Sequence, residues 1–421
     1  MKQWMRGGAL SLAAATALNA AGYKLPEQSV NSMALGAAYV AHTWSADTAY
    51  YNPANMAFLE GDKQYVEGAL TLVHLPAIDF NGKQVARIPA PPGFTLVPAN
   101  ASTKVENIPV GHLFYVSPAY DRWRFGFSVA APGGLSKRWE APVQKLFAQE
   151  FTLKIIEVNP SFSYKFNDSL SFGGGIRMVY TDGRVKSDGK PVFPPIRMAR
   201  DMKGDSIDWG YNLALSFRPS KDLNFALTYR SNVNLTVKGS ATLYAGPAGF
   251  PPIYSGGASV TVPLPATLAL AAAKTFDDRL TVELVYERTF WSKYKNLDFN
   301  YDLPQPAFDD PIDKSWKDSN TYRLGLTYRY SDRLTLMAGY AYDETPIPSR
   351  TLGYELPDSD AHIFSAGFRF KQSENFEWGA AILYDHKKKR SLAAGENENG
   401  IVGTFSKGGA LLTTVGFQYK F

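Results

Sequence analysis

Five histidines are the side chains of this 421-residue sequence best suited to moving a proton or holding a metal: His42, His74, His112, His362 and His386. None has metal-ligand spacing, such as a His-Glu-x-x-His helix whose two imidazoles share one face. No Gly-x-Ser-x-Gly elbow raises a nucleophilic serine, and there is no cysteine. Gly173-Gly174-Gly175 lacks the following Lys-Ser/Thr and the helix that a phosphate loop needs. One hydrolytic arrangement stays open. A Ser–His pair on neighbouring strands, as in an outer-membrane phospholipase, could use His112 or His362, both on predicted strands. The residues point to binding instead, with no catalytic residue, metal or cofactor expected.

Composition suggests what is bound. Aromatics make up 14% of the chain, with 24 Tyr and 26 Phe, yet mean hydropathy is −0.22. A transmembrane β-barrel reconciles the two, because aromatic girdles and an apolar outer face are offset by a polar lumen. Met1–Ala20 carries Lys2 and Arg6, the apolar run Ala9–Leu18 and then small residues. This reads as a secretory signal over 1–20, cut before Ala21 or within Ala21–Gly22. Without it the charge is 42 − 39 = +3, too small and dispersed for nucleic acid.

The elements that position a ligand follow from two alternations. Within segments the period is two, the signature of strands. Leu411, Thr413, Val415, Phe417, Tyr419 and Phe421 share one face, and Thr414, Gly416, Gln418 and Lys420 the other. Tyr322, Leu324, Leu326, Tyr328 and Tyr330 likewise oppose Arg323, Gly325, Thr327 and Arg329. Charges on one face and aromatics on the other invert a soluble barrel, whose core could not hold unpaired arginines. Between segments, six short turns alternate with seven long Pro/Gly-rich loops, including 133–148, 189–204, 239–256 and 299–317. That pattern predicts fourteen strands in 63–421, among them 122–132, 205–218, 223–238, 257–275 and 280–298. The fold class is therefore all-β, a 14-stranded antiparallel transmembrane barrel. The terminal Phe421 resembles the signal read by barrel-insertion machinery.

Residues 21–62 fit no strand and no single helix, being rich in Ala, Gly, Ser and Asn and broken at Asn52-Pro53-Ala54. They are read as an N-terminal hatch that plugs the barrel from the periplasmic side. Two external loops carry apolar side chains: Trp139 and Phe147 in one, Val192, Phe193 and Met198 in the other. Such loops suggest a surface groove where a hydrophobic ligand lands.

Several segments, in order, carry a family resemblance: Ala21-Gly22-Tyr23, Asn52-Pro53-Ala54, Arg230-Ser231-Asn232-Val233, Leu264-Pro265, Trp291-Ser292, Trp316-Lys317-Asp318, and Asp343–Pro348 with Leu356-Pro357-Asp358. Over 21–421 the chain resembles the FadL/TodX outer-membrane transporters of long-chain fatty acids and aromatic hydrocarbons. The resemblance implies a hatch-closed fourteen-stranded barrel in the Gram-negative outer membrane, in contact with lipid and lipopolysaccharide, and a monomer is expected. It implies that Tyr23 and Leu25 touch ligand, that Lys317 meets a headgroup, with Lys186 and Lys190 near a second basic position, and that Asn52, Pro53 and Ala54 form the hatch motif. It also implies a lateral gate at a kinked third strand, here Pro132-Gly133-Gly134. From the residues alone, that tripeptide could equally be the start of the external loop.

Burying a ~16-carbon tail at ~0.8 kcal/mol per methylene is worth roughly 12 kcal/mol gross. Facilitated diffusion therefore needs a movable element that spoils the site, and the hatch terminus near Tyr23 is the candidate. Long-chain fatty acids are the expected ligand. Monoaromatic hydrocarbons are the alternative in the same family, and a polar-solute porin or the phospholipase the alternatives outside it.

Overall fold

The computed structural model describes residues 22–88, 93–189 and 196–421. Eighteen strand segments pair into one closed sheet. Four strands are each split in two, so the barrel has 18 − 4 = 14 antiparallel strands. In chain order they begin with β1 (Tyr65–Leu75), β2 (Glu106–Val116), β3 (Trp123–Ala130 and Gly134–Arg138), β4 (Glu150–Lys165) and β5 (Leu170–Asp188). β6 (Ile196–Ser220), β7 (Leu223–Arg230 and Val233–Pro247), β8 (Tyr254–Leu264 and Thr267–Phe276) and β9 (Leu280–Thr289 and Phe299–Tyr301) follow. β10 (Ser319–Arg329), β11 (Leu334–Asp343), β12 (Ala361–Lys371), β13 (Phe376–Lys387) and β14 (Gly409–Lys420) complete it. β1 pairs with β14 from Tyr65↔Lys420 to His74↔Leu411 and closes the cylinder.

Period two sets the two faces. On β14, Leu411, Val415, Phe417 and Tyr419 point out and are exposed, whereas Thr414 and Gln418 are buried. On β10, Tyr322 is 49% exposed and its neighbour Arg323 is 4%. Buried Arg124, Arg177, Arg323 and Arg369 all point inward, and each finds acceptors there. That satisfies the requirement that buried charge be paired.

Residues 22–58 lie inside the barrel. A short helix, Val30–Ala34, is capped by Ser29, whose side chain accepts from the Ser32 amide. Thr48–Tyr51 forms a second turn, and Pro53 opens a 3-10 turn over Pro53–Phe58, where its missing N–H costs nothing. The inner wall holds this segment from several sides. Glu283 accepts from the amides of Val40 (2.6 Å), Ala41 (2.6 Å) and His42 (3.1 Å). Arg323 donates to the Gly36 carbonyl at 3.0 Å.

Several boundaries differ from the sequence expectation. β6 begins at Ile196 and β7 runs to Pro247, so the expected loops 189–204 and 239–256 are mostly strand. Gly204 and Gly239, read as loop limits, instead face each other as a cross-strand pair. β8 breaks at 265–266, and β9 leaves the ladder after Thr289 through a turn at Trp291–Lys293. The loops around 80–103 and 387–407 build a five-stranded external sheet of their own. Phe80 packs on Phe405 (centroids 4.6 Å) and on Tyr354 (5.4 Å) beneath it.

Candidate ligand channel

The hatch tip, Tyr23–Leu25, threads between two breaks in the wall. β3 stops at Ala130 and resumes at Gly134, and both halves pair with β4. Pro132-Gly133-Gly134 is therefore an interruption within a strand; the loop starts near Trp139. The freed backbone groups bond the hatch: Leu25 N–H donates to the Pro132 carbonyl and Gly134 N–H to the Tyr23 carbonyl, each at 2.8 Å. A Cβ at Gly133 would lie 2.6 Å from the Tyr23 carbonyl oxygen, so a side chain there would displace the tip. The β2–β3 ladder runs only from Leu113↔Val129 to Val116↔Gly126. Beyond it the strands rejoin at the Thr103–Trp139 bridge, and Ser136 and Glu106 span the interval at 2.7 Å.

On the other side, the Tyr23 hydroxyl donates to the Pro263 carbonyl next to the β8 break. Its ring sits edge-on to Trp291 (4.9 Å) and packs near Trp316 (5.9 Å) and Tyr294 (6.4 Å). Asp358 accepts from the Gly22 amide at 3.2 Å and pairs with Lys387 at 2.6 Å. The hatch tip, the β8 break, Trp291, Trp316 and Asp358, scattered through the sequence, thus converge on one place.

Above the tip is a narrow cavity. Its wall is hollowed by a row of small residues at paired positions on four adjacent strands: Gly183↔Gly204, Gly204↔Gly239 and Gly239↔Ala258. Leu153, Val185, Met202, Val237 and Val260 make the surrounding surface apolar, and Tyr23, Tyr294, Phe299 and Trp316 add aromatic faces. Lys314 and Glu355 form an ion pair in its wall, where the Lys314 side chain is 4% exposed; Arg184, paired with Asp201 at 3.5 Å, and Lys203 line it as well. Burial, with Glu355 beside it, pushes the Tyr294 phenol well above its usual range, so it stays a neutral hydroxyl.

Lys314 and Glu355 also line a second depression, among the loops at the barrel mouth. It is bounded by Leu146, Phe147, Met198 and Phe308, and shares Phe151, Val185 and Leu297 with the upper cavity. A third cavity lies on the other side of the hatch tip. Lys24, Leu25 and Pro132 line it, together with Val40, Leu264 and Pro265. Tyr23 faces the upper cavity and Lys24 and Leu25 the lower, so the tip is the partition between them.

The Asn52-Pro53-Ala54 turn docks on the wall of β5 and β6. Asn52 Nδ2 donates to the Val40 carbonyl (2.8 Å) and to Ser216 Oγ (2.9 Å), and Ser171 Oγ donates to the Ala54 carbonyl (2.8 Å). Gly173 lets the two backbones meet: a Cβ there would lie 2.6 Å from the Pro53 carbonyl carbon.

The expected ligand contacts divide. Tyr23 and Leu25 line the two cavities and Phe147 the outer depression. Trp139 is fully buried under the loops, donating to the Tyr354 carbonyl at 2.8 Å, and lines none of these cavities. Lys317 points to solvent; Lys314, three residues earlier, occupies the cavity wall. Lys186 pairs with Asp201 at 3.1 Å. Phe193, Val192 and Lys190 lie outside the described residues. Sequence reasoning missed Lys314, Glu355 and the glycine row; only the alternation of glycines at 183, 204 and 239 within β-rich stretches hinted at the last. Among the described residues, no serine hydroxyl is hydrogen-bonded to a histidine: His112 contacts Thr71 (3.4 Å) and His362 contacts Tyr340 (2.9 Å).

Comparison with known proteins matches residues 11–421 to the family described as outer membrane protein transport protein (OMPP1/FadL/TodX). A long-chain fatty acid transport protein of Escherichia coli O6:H1 is 26% identical, over 95% of this chain and 94% of that protein. Outer membrane protein P1 of Haemophilus influenzae is 24% identical, over 90% and 88%. In structure, a Pseudomonas aeruginosa FadL homologue superposes with a TM-score of 0.82 at 21% identity, covering 95% of this chain and 99% of that one. The Ralstonia pickettii toluene transporter TbuX gives 0.70 at 17%, covering 94% and 99%. At these identities the superpositions speak for the fold.

Proposed function

Because this chain belongs to the outer membrane protein transport family OMPP1/FadL/TodX, we propose that it takes up long-chain fatty acids by facilitated diffusion. The barrel sits in the outer membrane of a Gram-negative bacterium and serves uptake of hydrophobic compounds. The observation that carries the finer reading is the Lys314–Glu355 pair, which stands in the wall shared by the outer depression and the upper cavity. A tail would land among Leu146, Phe147 and Phe308 and slide inward, its carboxylate replacing Glu355 as the partner of Lys314. Charge-assisted pairing of this kind is about twice as strong as a neutral hydrogen bond. Release then requires Tyr23–Leu25 to withdraw, which joins the upper cavity to the lower one beside Pro132. From there the β2–β3 separation offers a sideways exit into the membrane. The chain's other expected partners, lipopolysaccharide at the outer rim and the insertion machinery at Phe421, belong to this reading. Phe421 is 55% exposed at the end of β14.

A monoaromatic hydrocarbon is the second reading. The aromatic faces of Tyr23, Tyr294, Phe299 and Trp316 favour it, since rings pack edge-to-face on rings. The discriminating experiment is uptake of labelled oleate and of toluene by a deletion strain carrying the wild type, Lys314→Ala or Lys317→Ala. Selective loss of oleate uptake with Lys314→Ala supports the fatty-acid reading. Toluene uptake alone supports the second, and uptake of neither by the wild type refutes both. A second test joins cysteines at 23 and 262 with a short bifunctional thiol reagent. Oleate should still bind and uptake should cease.

A further inference from the structure

The lower cavity is not a plain apolar conduit. Four cationic side chains line it: Lys24 from the hatch, Arg177 from β5, Arg230 from β7 and Arg323 from β10. Glu157, fully buried behind the cavity, pairs with both Arg177 (2.8 Å) and Arg230. Glu287 pairs with Lys24 and, at 3.4 Å, with Arg323, and Glu27 approaches Arg323 at 3.9 Å. Three carboxylates thus partner the four cations. The described bonds of Arg177, to Glu157 and the Ser231 carbonyl (2.6 Å), use two of its five N–H donors. Arg230 likewise spends two, on Glu157 and the Tyr50 carbonyl (3.2 Å). The opposing surface is apolar: Leu25, Val40, Leu264, Ala269 and Val285. A guanidinium pair beside an apolar wall is matched by an amphiphile with a planar anionic head, which arginine grips in bidentate fashion.

We infer that the lower cavity is a second binding station for the carboxylate of a long-chain acid, holding the headgroup at Arg177 and Arg230 once it has passed the hatch tip. The station rests on the uptake reading above and adds selectivity to it. The anionic head is handed from Lys314 to the arginine pair, whereas an uncharged tail of equal length gains nothing there. Lys24 sits between the two stations, salt-bridged to Glu287 and bonded to Thr289 Oγ1 at 3.1 Å. An arriving carboxylate competes with Glu287 for it and so loosens the hatch tip.

The test uses the purified full-length barrel in a neutral detergent. The probes are a hexadecanoic acid with a diazirine next to the carboxyl and the matching primary alcohol. After irradiation, labelled peptides are mapped by mass spectrometry. The acid should label peptides containing Tyr294 or Trp316 (upper cavity) and Tyr50 or Tyr51 (lower cavity). The alcohol should label the lower peptides about tenfold less, the factor that ~1.4 kcal/mol of a charge-assisted bond supplies. Thr228→Asp, which places a carboxylate in the lower lining, should bring acid labelling there down to the alcohol level and leave the upper cavity unchanged. Equal labelling of the lower peptides by acid and alcohol, or acid labelling confined to the upper cavity, overturns the inference alone. Labelling of neither cavity overturns the uptake reading itself. Should Thr228→Asp fail to fold, the wild-type acid-to-alcohol ratio still decides.

Discussion

The amide of Gly134 donates to the carbonyl of Tyr23 at 2.8 Å, so the hatch tip is bonded as a strand residue into the break of β3. With Leu25 N–H on Pro132 O, the tip borrows the backbone groups that β3 leaves unpaired there. The break in β3 and the seating of the tip are therefore one arrangement: each side satisfies the other's polar groups, as buried backbone requires. Gly133→Val follows directly. Its side chain would enter space held by the Tyr23 carbonyl, and overpacking of this kind costs about 1–3 kcal/mol. Hydrogen exchange at the Leu25 amide should accelerate by roughly one to two orders of magnitude. An unchanged Leu25 amide would mean the tip is held from the β8 side alone.

Lys314 and Lys317 make a matched pair for the headgroup. Replacing buried Lys314 with Met removes the cation and leaves Glu355 without its partner, while keeping an apolar stem in the cavity wall. The apparent Kd for oleate should rise about tenfold or more, corresponding to loss of a charge-assisted bond of ~1.5–3 kcal/mol. Binding of a neutral analogue such as oleyl alcohol should change by less than about twofold. Lys317→Met, at a solvated position, should alter neither. Isothermal titration of both ligands on the three proteins checks this, and equal losses for acid and alcohol would remove Lys314 as the headgroup contact.

Gly173 tests the docking of the Asn52-Pro53-Ala54 turn. Gly173→Val would force the turn off β5, stripping Asn52 of its bond to Ser216 and Ala54 of its bond to Ser171. Two lost bonds at about 0.5–1.5 kcal/mol each, plus overpacking, should expose Ala46–Met56 to protease in the folded barrel. Asn52→Ala should do the same more weakly. A protease pattern unchanged from wild type in Gly173→Val would show that this turn is held by other contacts.

The barrel was readable because its two periodicities are physical: lipid and lumen impose alternation along strands, and the two sides of a membrane impose short and long connections. Tyr322 against Arg323 states the first, and the strand count follows from the second. The breaks were harder to read. Pro132-Gly133 looks the same whether a strand ends there or is interrupted, because the deciding fact is that β4 continues alongside. Gly204 and Gly239 misled for a related reason. Each looks like a turn residue alone, and only their pairing across β6 and β7 shows that they hollow the wall. Lys314 and Lys317 lie three residues apart in a loop with no periodicity, so nothing local says which one turns inward.

The far end of the hatch carries a last prediction. Arg124 on β3 is 1% exposed and donates to the carbonyls of Ser117 (2.7 Å), Leu59 (2.9 Å), Glu60 (2.9 Å) and Lys63 (2.5 Å). A single guanidinium thus gathers the chain where it leaves the lumen and enters β1. Arg124→Met keeps the apolar stem but leaves these carbonyls without a charged donor, at about 1–3 kcal/mol for each one that water cannot reach. Exchange of amides in 56–63 should rise strongly. The Leu25 amide, held by Pro132 at the opposite end of the segment, should keep its protection, because sites that share no partner respond independently. If Arg124→Met exposes Leu25 as fully as Gly133→Val does, the plug moves as one rigid piece, and withdrawal of its tip alone is not how the channel opens.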